Sequence, residues 1–295
     1  MNLGENATMD LLWLGLAVLA TAALLALGAA FAFRRTLRSA RNDHRRRPAL
    51  WNRFYAFDWG ETTTNNYGFA PAMGDHPQRF QHQMYRELLA LLKAQRPLTR
   101  RMTLLEVSCG RGGGLAAFLA AAPDRFDATG LDVAASAIAY CRSTYGEHDA
   151  LRFVEGSALD LPFADASFDV VLNVEASNDY GDRTRFYAEV ARVLKPDGTF
   201  LYTDSFRARD VAAMRAELAA AGFAAEFGDV TANVAEASRL DSPRRRSVIR
   251  SQAPLIGRLA FATQLENYAA VEGSKKYQQF TDGRRAYLMT AAKVP

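Results

Sequence analysis

The stretch Glu106-Val-Ser-Cys-Gly-Arg-Gly-Gly-Gly114 closes an apolar run at 102–108 and opens a helical pattern at 112–121. Glycine lets a backbone turn sharply and lets a ligand approach it closely. The helix start beyond it offers N–H groups that have no intrahelical partner. Further apolar runs at 127–132, 151–155, 168–173 and 198–203 read as strands. Helical stretches at 134–144, 183–193 and 209–221 separate them, and a last strand is expected at 286–292. Short strands alternating with helices predict an α/β fold: a doubly wound, Rossmann-like, mostly parallel sheet. Ligands of such sheets bind at the C-terminal strand ends, near the switch in strand order.

The residues just after each strand are therefore the candidate site. Strand 1 runs into Glu106, Ser108, Cys109, Gly110 and Gly112. Gly110 and Gly112 fit the start of G-x-G-x-x-G, but Leu115 stands where the third glycine belongs, which counts against a dinucleotide-binding dehydrogenase. Strand 2 ends in Gly130-Leu-Asp132, followed by Val133. A carboxylate there can accept both hydroxyl hydrogens of a ribose; a plain helix N-cap is the alternative. Strand 3 leads to Ser157-Ala158 and Leu161-Pro-Phe163. Strand 4 leads through Asn173 to Glu175, Asn178, Asp179 and Tyr180.

Composition bounds the rest. The 295 residues are 49% hydrophobic and 23% charged, which excludes a fully disordered chain. Two cysteines exclude a disulfide scaffold, and four histidines leave little for a metal site; none is expected. The net charge of +4 is unevenly placed: −2 over 1–33, +6 over 34–50, and zero over the remainder. The basicity is one local block, so no nucleic-acid partner is expected.

Leu11 to Phe33 holds 23 residues without a charge, LLWLGLAVLATAALLALGAAFAF, bracketed by Asp10 and Arg34. A bilayer core needs about 20 apolar residues in a helix. A cleaved signal would carry its basic region before the apolar run, and here it follows. The reading is a single membrane-spanning anchor over 11–33. Arginines retained on the cytoplasmic side place the N-terminus outside and the rest in the cytoplasm. Residues 34–47 would then bind anionic lipid headgroups. The expected organisation is an N-terminal tail and transmembrane helix (1–33), a basic linker (34–50), an aromatic collar with an N-terminal helix (51–100), and an α/β domain (101–295) with an insertion at 230–284.

The collar carries seven aromatics between Trp51 and Phe69. It is either a satellite core under a loop or a wall over an apolar ligand. Past Pro77, with Asp75 or His76 as cap, Phe80, Met84, Leu88, Leu91 and Leu92 recur at helical spacing and read as core. The insertion is either a packing cap or, with the collar, an enclosure for a long apolar chain.

Taken together and in order, Glu106-x-x-Cys-Gly-x-Gly, Gly-Leu-Asp132, Leu-Pro-Phe163, Phe-Asp-Val-Val171 and Leu-Lys-Pro-Asp-Gly198 resemble a class I S-adenosylmethionine-dependent methyltransferase over residues 80–295. Asn173-Val-Glu-Ala-Ser177, Asp229-Val-Thr-Ala-Asn-Val234 and Val271-Glu-Gly-Ser274 with Tyr277 and Phe280 are similar to a narrower branch. It contains phthiotriol dimycocerosate methyltransferases, fatty-acid O-methyltransferases and phenylpyruvate C-methyltransferases. The resemblance implies that S-adenosyl-L-methionine is the cofactor. Glu106, Ser108, Cys109, Gly110 and Gly112 would cradle its methionine part, and Asp132 would hold the ribose with Val133 against the adenine. Ser157 and Ala158 would flank the adenine edge, and Asn173 would lie near the amino group and the methyl.

In that branch Asn-Val-Glu-Ala-Ser is usually followed by His; here Asn178 stands there, so a His-assisted or His-iron mechanism is not expected. Asp179, Glu175 or Tyr180 would take a proton, or Asn178 would orient an acceptor that ionises easily; an ordinary loop acid beside Arg183 or Arg185 is the alternative for Asp179. Trp59, Tyr67 and Tyr277 are candidate contacts to a lipophilic acceptor. The expected activity is O-methylation of a lipid-like molecule at the membrane. C-methylation of an enol or isoprenoid, and a non-catalytic membrane-tethered cofactor-binding scaffold, are the rivals.

Overall fold

Neighbouring residues of the central strands are both apolar because both faces of the sheet are covered. Leu104 and Leu105, and Val170, Val171 and Leu172, are fully buried. Successive strand side chains point to opposite faces. Leu104, Val170 and Leu172 join one core and Leu105 and Val171 the other. In this computed structural model the described residues are Trp13, Thr21, Gly28, 47–146, 150–252 and 255–294, with backbone alone over 255–261.

The first helices are α1 (Arg47–Tyr55) and α2 (Arg79–Gln95). Then follow β1 (Met102–Val107), α3 (Gly113–Ala120), β2 (Phe126–Asp132), α4 (Ala135–Tyr145), β3 (Leu151–Glu155) and β4 (Phe168–Val174). After a short 3-10 turn at Ser177–Asp179 come α5 (Arg183–Val193), β5 (Leu194–Arg207), α6 (Val211–Ala220) and β6 (Gly228–Asp229). The chain closes with α7 (Thr231–Gln252), α8 (Leu255–Tyr268), α9 (Lys275–Thr281) and β7 (Arg285–Lys293). The seven strands order as β3-β2-β1-β4-β5-β7-β6. The first five are parallel; β7 runs antiparallel to β5 and β6. The doubly wound, mostly parallel sheet is as expected, and its order reverses between β1 and β4.

One face of the sheet is covered by Met84, Leu88 and Leu92 of α2 with Phe118 of α3 and Ile138 of α4. The other is covered by Phe186 and Val190 of α5 with Met214 and Leu218 of α6. Each such side chain contributes roughly 1.5–3 kcal/mol by leaving water. Helix α2 departs from expectation at its start. Neither Asp75 nor His76 caps it; Gln78 occupies the cap position without a side-chain cap. Its amide is instead spent on the collar, accepting from Thr63 N at 2.8 Å and donating to Thr64 Oγ1 at 2.5 Å. Leu91 is only half-buried, while Leu89 takes a core place.

The apolar segment 11–33 and the arginines of 34–46 lie outside the described residues, apart from Trp13, Thr21 and Gly28, which are helical. Among the described residues no helix is long and apolar enough to cross a membrane.

Candidate active site

The two strands at the switch in strand order both end in strained backbone. Ser108 after β1 has φ 62° and Glu175 after β4 has φ 52°. A non-glycine residue in this left-handed region costs roughly 1–2 kcal/mol, and such residues cluster at functional sites. Above these ends opens a cavity of about 720 Å³. Its floor is Ser108, Cys109, Gly110, Asp132 and Val133, with Ser157 and Ala158 at one side and Glu175 to Tyr180 at the other.

The loop after β1 is held from three directions. Asp132 Oδ2 accepts the Gly110 N–H at 2.9 Å and Oδ1 accepts the Ala134 N–H at 2.9 Å. An ionised carboxylate has about four acceptor sites. With the Val133 N–H as a third backbone donor, Asp132 keeps about one such site for a ribose hydroxyl while serving as the local turn-former. From above, the Tyr85 hydroxyl lies so close that a Cβ on Gly114 would sit 1.9 Å from its ring. That hydroxyl donates to Glu106 Oε1 at 2.8 Å. The collar supplies the third direction: Gly113 N donates to Thr63 O at 3.1 Å, and Arg111 reaches Thr62 O at 2.9 Å.

The collar is thus stitched onto the loop and forms the roof of the cavity. Trp51, Phe54 and Tyr55 of α1, then Trp59 and Tyr67, all line it. Phe54 packs against Trp59 with ring centres 4.7 Å apart and against Trp51 at 5.4 Å. Helix α1 is pinned through Asn52, whose Oδ1 accepts Ser136 N at 2.9 Å. Helix α7 and its neighbours close the remaining side with Arg244, Arg245, Ile249, Leu265 and Lys276. Arg245 is buried and ties these parts together: its guanidinium donates to Tyr67 O at 2.6 Å and pairs with Asp241 at 3.0 Å.

Three expected loop contacts stand behind the cavity wall rather than in it: Glu106, Gly112 and Asn173. Glu106 and Asn173 are fully buried, and each has one unpartnered oxygen, Oε2 and Oδ1. Burial pushes the Glu106 carboxyl up to about 8, against the Tyr85 hydrogen bond. A buried acceptor without a donor is costly unless a ligand completes it. The ammonium of S-adenosylmethionine is a donor of the required kind, and Asp132 lines the cavity with acceptor capacity left for its ribose, so the residues present fit the cofactor.

The three candidate proton acceptors and the candidate orienting residue Asn178 differ in what already holds them. Asn178 Nδ2 donates to Asp204 Oδ1 at 2.8 Å and to Ser205 O at 2.6 Å. Tyr180 shares its hydroxyl with Ser108 Oγ at 2.6 Å and Asn173 Nδ2 at 2.9 Å, and burial raises its phenol far above neutrality. Asp179 pairs with Arg47 at 3.5 Å, whereas Arg183 is taken by Glu217 at 2.8 Å. Arg47, expected to face lipid, is turned onto the cavity mouth. Glu175 Oε1 accepts the Tyr67 N–H at 2.7 Å and the Tyr287 hydroxyl at 2.5 Å. Burial pushes its carboxyl up to about 8 in spite of both donors.

Tyr277 is misplaced by the sequence reading. It lies among Glu272, Arg239 and Glu236, outside the cavity, and its neighbour Lys276 faces in. Successive residues of a helix point about 100° apart, so one register step decides which of the two faces the ligand. Sequence reasoning also missed Tyr85, Arg245, Tyr287 and Arg285. Tyr85 sat beside the apolar stripe of α2, and the other three lie far along the chain from any loop motif.

A methyltransferase-domain family model matches residues 105–202, which hold β1 to the middle of β5. A probable phthiotriol/phenolphthiotriol dimycocerosates methyltransferase 2 of Mycobacterium ulcerans is 40% identical over 158 residues, 53% of this chain and 60% of that protein. The phthiotriol/phenolphthiotriol dimycocerosates methyltransferase of Mycobacterium tuberculosis is 37% identical over 187 residues, 63% of this chain and 67% of that protein. The fatty-acid O-methyltransferase of Mycolicibacterium smegmatis is 42% identical over 148 residues, 48% of this chain and 52% of that protein. In three dimensions the structure described as a putative sarcosine dimethylglycine methyltransferase from Galdieria sulphuraria superposes with a TM-score of 0.64 at 15% identity, covering 82% of this chain and 97% of that one. That likeness speaks for the fold alone. The alignments span roughly half to two thirds of the curated relatives' length. With the loop, the acidic end of β2 and the orphaned carboxylate already in place, the chain belongs to the class I S-adenosylmethionine-dependent methyltransferases.

Proposed function

We propose that this protein is a membrane-anchored methyltransferase that O-methylates a lipid-like acceptor on the cytoplasmic side of the membrane. One observation carries the reading: a single cavity joins the Gly110–Asp132 cradle to a roof of Trp51, Phe54 and Trp59. The cradle suits the cofactor, and the roof suits an apolar chain. S-adenosylmethionine supplies an electrophilic methyl on a sulfonium. The protein's part is then to hold, orient and exclude water. Glu106, Ser108, Cys109, Gly110, Gly112, Asp132, Val133, Ser157, Ala158 and Asn173 serve the cofactor. Trp59 and Tyr67 serve the acceptor.

Asn178, Asp179 and Tyr180 are positioning residues in this reading, since each is tied to a named partner. Glu175 is the candidate base for an acceptor that carries a proton, and because burial holds its carboxyl up to about 8 it would act in its ionised form, near and above that pH. The similarity to a fatty-acid O-methyltransferase favours oxygen over carbon as the attacking atom. The anchor rests on the charge-free run 11–33 and the arginines after it. It gains support from α1, the first helix beyond them, which roofs the cavity and would bring its mouth to the bilayer.

The test is to incubate the detergent-purified protein with methyl-labelled cofactor and a lipid extract of its source, and to identify the labelled product. A labelled methyl ether or ester is expected; a C-methylated product would overturn the O-methyl reading. Removing residues 1–33 should release the protein from membranes in high salt, and continued pelleting would sink the anchor.

A further inference from the structure

Among the described residues, two cations in the acceptor half of the cavity have no carboxylate within ion-pair distance. Lys276 on α9 and Arg285 at the start of β7 both line it. Neither makes an ion pair within 4.0 Å among the described residues, while Arg244 and Arg245 both pair with Asp241. Lys276 Nζ donates to the Tyr67 hydroxyl at 3.2 Å and lies 5.6 Å from the centre of its ring. Arg285 is anchored by Nη1 to Ser205 O at 2.9 Å and to Ser205 Oγ at 3.2 Å. Its Nε is buried with no hydrogen-bond partner among the described residues.

The acids nearby are already engaged. Asp204 accepts from Ser177 Oγ at 2.7 Å, Asn178 N at 3.2 Å, Asn178 Nδ2 at 2.8 Å and Ser205 N at 2.7 Å. Asp179 faces Arg47. Glu175 gives Oε1 to Tyr67 and Tyr287, and burial favours its neutral form. Burial, with Arg285 beside it, pulls Lys276 down to about 8. A buried charge is expensive unless something pairs with it. The missing group is an anion.

We propose that Lys276 Nζ, the Arg285 guanidinium and the Tyr67 hydroxyl form a subsite for an anionic oxygen, and that the acceptor is an apolar acid bound in its deprotonated form. The inference rests on the methyltransferase reading and names the chemistry of its acceptor. It also accounts for the loop after β4, where Asn178, Asp179 and Tyr180 are all tied up. An oxygen that arrives without its proton needs no base. Its electron pair forms the new bond to the methyl carbon, and the pair of the broken S–CH₃ bond stays on sulfur. An anion and a sulfonium become two neutral groups, so the product no longer fits a cationic subsite and leaves.

The test is a binding titration on the full chain in detergent, with palmitate and its isosteric alcohol hexadecanol as probes and S-adenosylhomocysteine present. Wild type should bind palmitate at least tenfold more tightly than hexadecanol. Lys276→Met and Arg285→Met should each erase most of that preference, with hexadecanol unaffected, and Lys276→Arg should restore it. Equal binding of the two probes by wild type, or an unchanged palmitate affinity in Lys276→Met, would overturn the subsite. S-adenosylhomocysteine is titrated into the same variants. Unchanged affinity there shows an intact fold, and failure of wild type to bind it would sink the methyltransferase reading while leaving the subsite to be judged by palmitate alone.

Discussion

The Tyr85 hydroxyl donates to one oxygen of Glu106 at 2.8 Å and leaves the other oxygen buried without a donor. The pair joins α2, which precedes the sheet, to the first strand of the sheet. It also joins the collar to the cofactor loop, because Tyr85 lies on Gly114 and Thr63 lies on Gly113. A buried carboxyl with one oxygen held and the other left without a donor has capacity for one cation just behind the cavity wall.

Cofactor binding should therefore depend on pH with a defined sign. In the free protein burial holds the Glu106 carboxyl up to about 8, so it is largely protonated at neutral pH. An ammonium binds the ionised form, so binding releases a proton below that value. Affinity for S-adenosylhomocysteine should rise from pH 6 to pH 8 and level off above. Calorimetry in buffers of different ionisation enthalpy reads the released proton. Glu106→Gln should lose about 2 kcal/mol of affinity, the worth of a hydrogen bond to a charged group, and flatten the pH dependence.

Gly114→Ala should be more damaging than the loss of one glycine in a helix. The new Cβ would sit 1.9 Å from the Tyr85 ring, so Tyr85 must leave Glu106. Overpacking of this kind costs about 1–3 kcal/mol. If Tyr85 is the cause, Gly114→Ala should cost far less in a Tyr85→Ala background than in wild type, as read by thermal unfolding. Additive losses in the double variant would disprove the contact.

The two halves of the site differ in how far they could be read from sequence. Gly110 and Asp132 are local: a strand end, a turn and a strand end 22 residues on are visible in the chain order itself. The acceptor half is assembled from distant pieces. Tyr67 meets Lys276 and Glu175 meets Tyr287 only because α9 and β7 return to the sheet after the helices of the insertion. Nothing in local periodicity encodes that return. The strand pattern had the same limit: β6 is two residues long and pairs only through β7. Tyr277 shows the limit at its smallest scale, since its neighbour Lys276 lines the cavity and Tyr277 does not.

Arg47 and Asp179 close the mouth of the cavity from opposite sides, 3.5 Å apart, with Asp179 half-exposed. A pair this wet is worth little to the fold, below about 1 kcal/mol. Arg47→Ala should leave the unfolding midpoint nearly unchanged. It should instead speed release of bound S-adenosylhomocysteine, because α1 carries Trp51, Phe54 and Tyr55 over the cavity. Stopped-flow release rates should rise severalfold in Arg47→Ala and in Asp179→Asn alike. A large fall in stability without a change in release would mean that the pair props the fold rather than the roof.

At the opposite, N-terminal edge of the parallel strands, Asp169 sets the acid limit of the fold. Its carboxylate is buried, which alone would raise its pKa. Arg100, the Thr103 N–H at 2.9 Å and Lys195 at 3.0 Å outweigh that and hold it far below the usual carboxylate range. A carboxylate depressed in the folded state stabilises fully above the unfolded value, near 4, and its contribution fades as pH falls toward the folded one. Asp169→Asn should cost about 2 kcal/mol at pH 7, the scale of a charged hydrogen bond. The gap to wild type should narrow steadily below pH 4. Urea unfolding at pH 7, 5 and 3 measures both, and a gap that stays constant with pH would place the loss in packing rather than in charge. The variant should keep its S-adenosylhomocysteine affinity, since Asp169 is the second residue of β4 and Asn173 the last but one, so most of a strand length separates the charge cluster from the cavity.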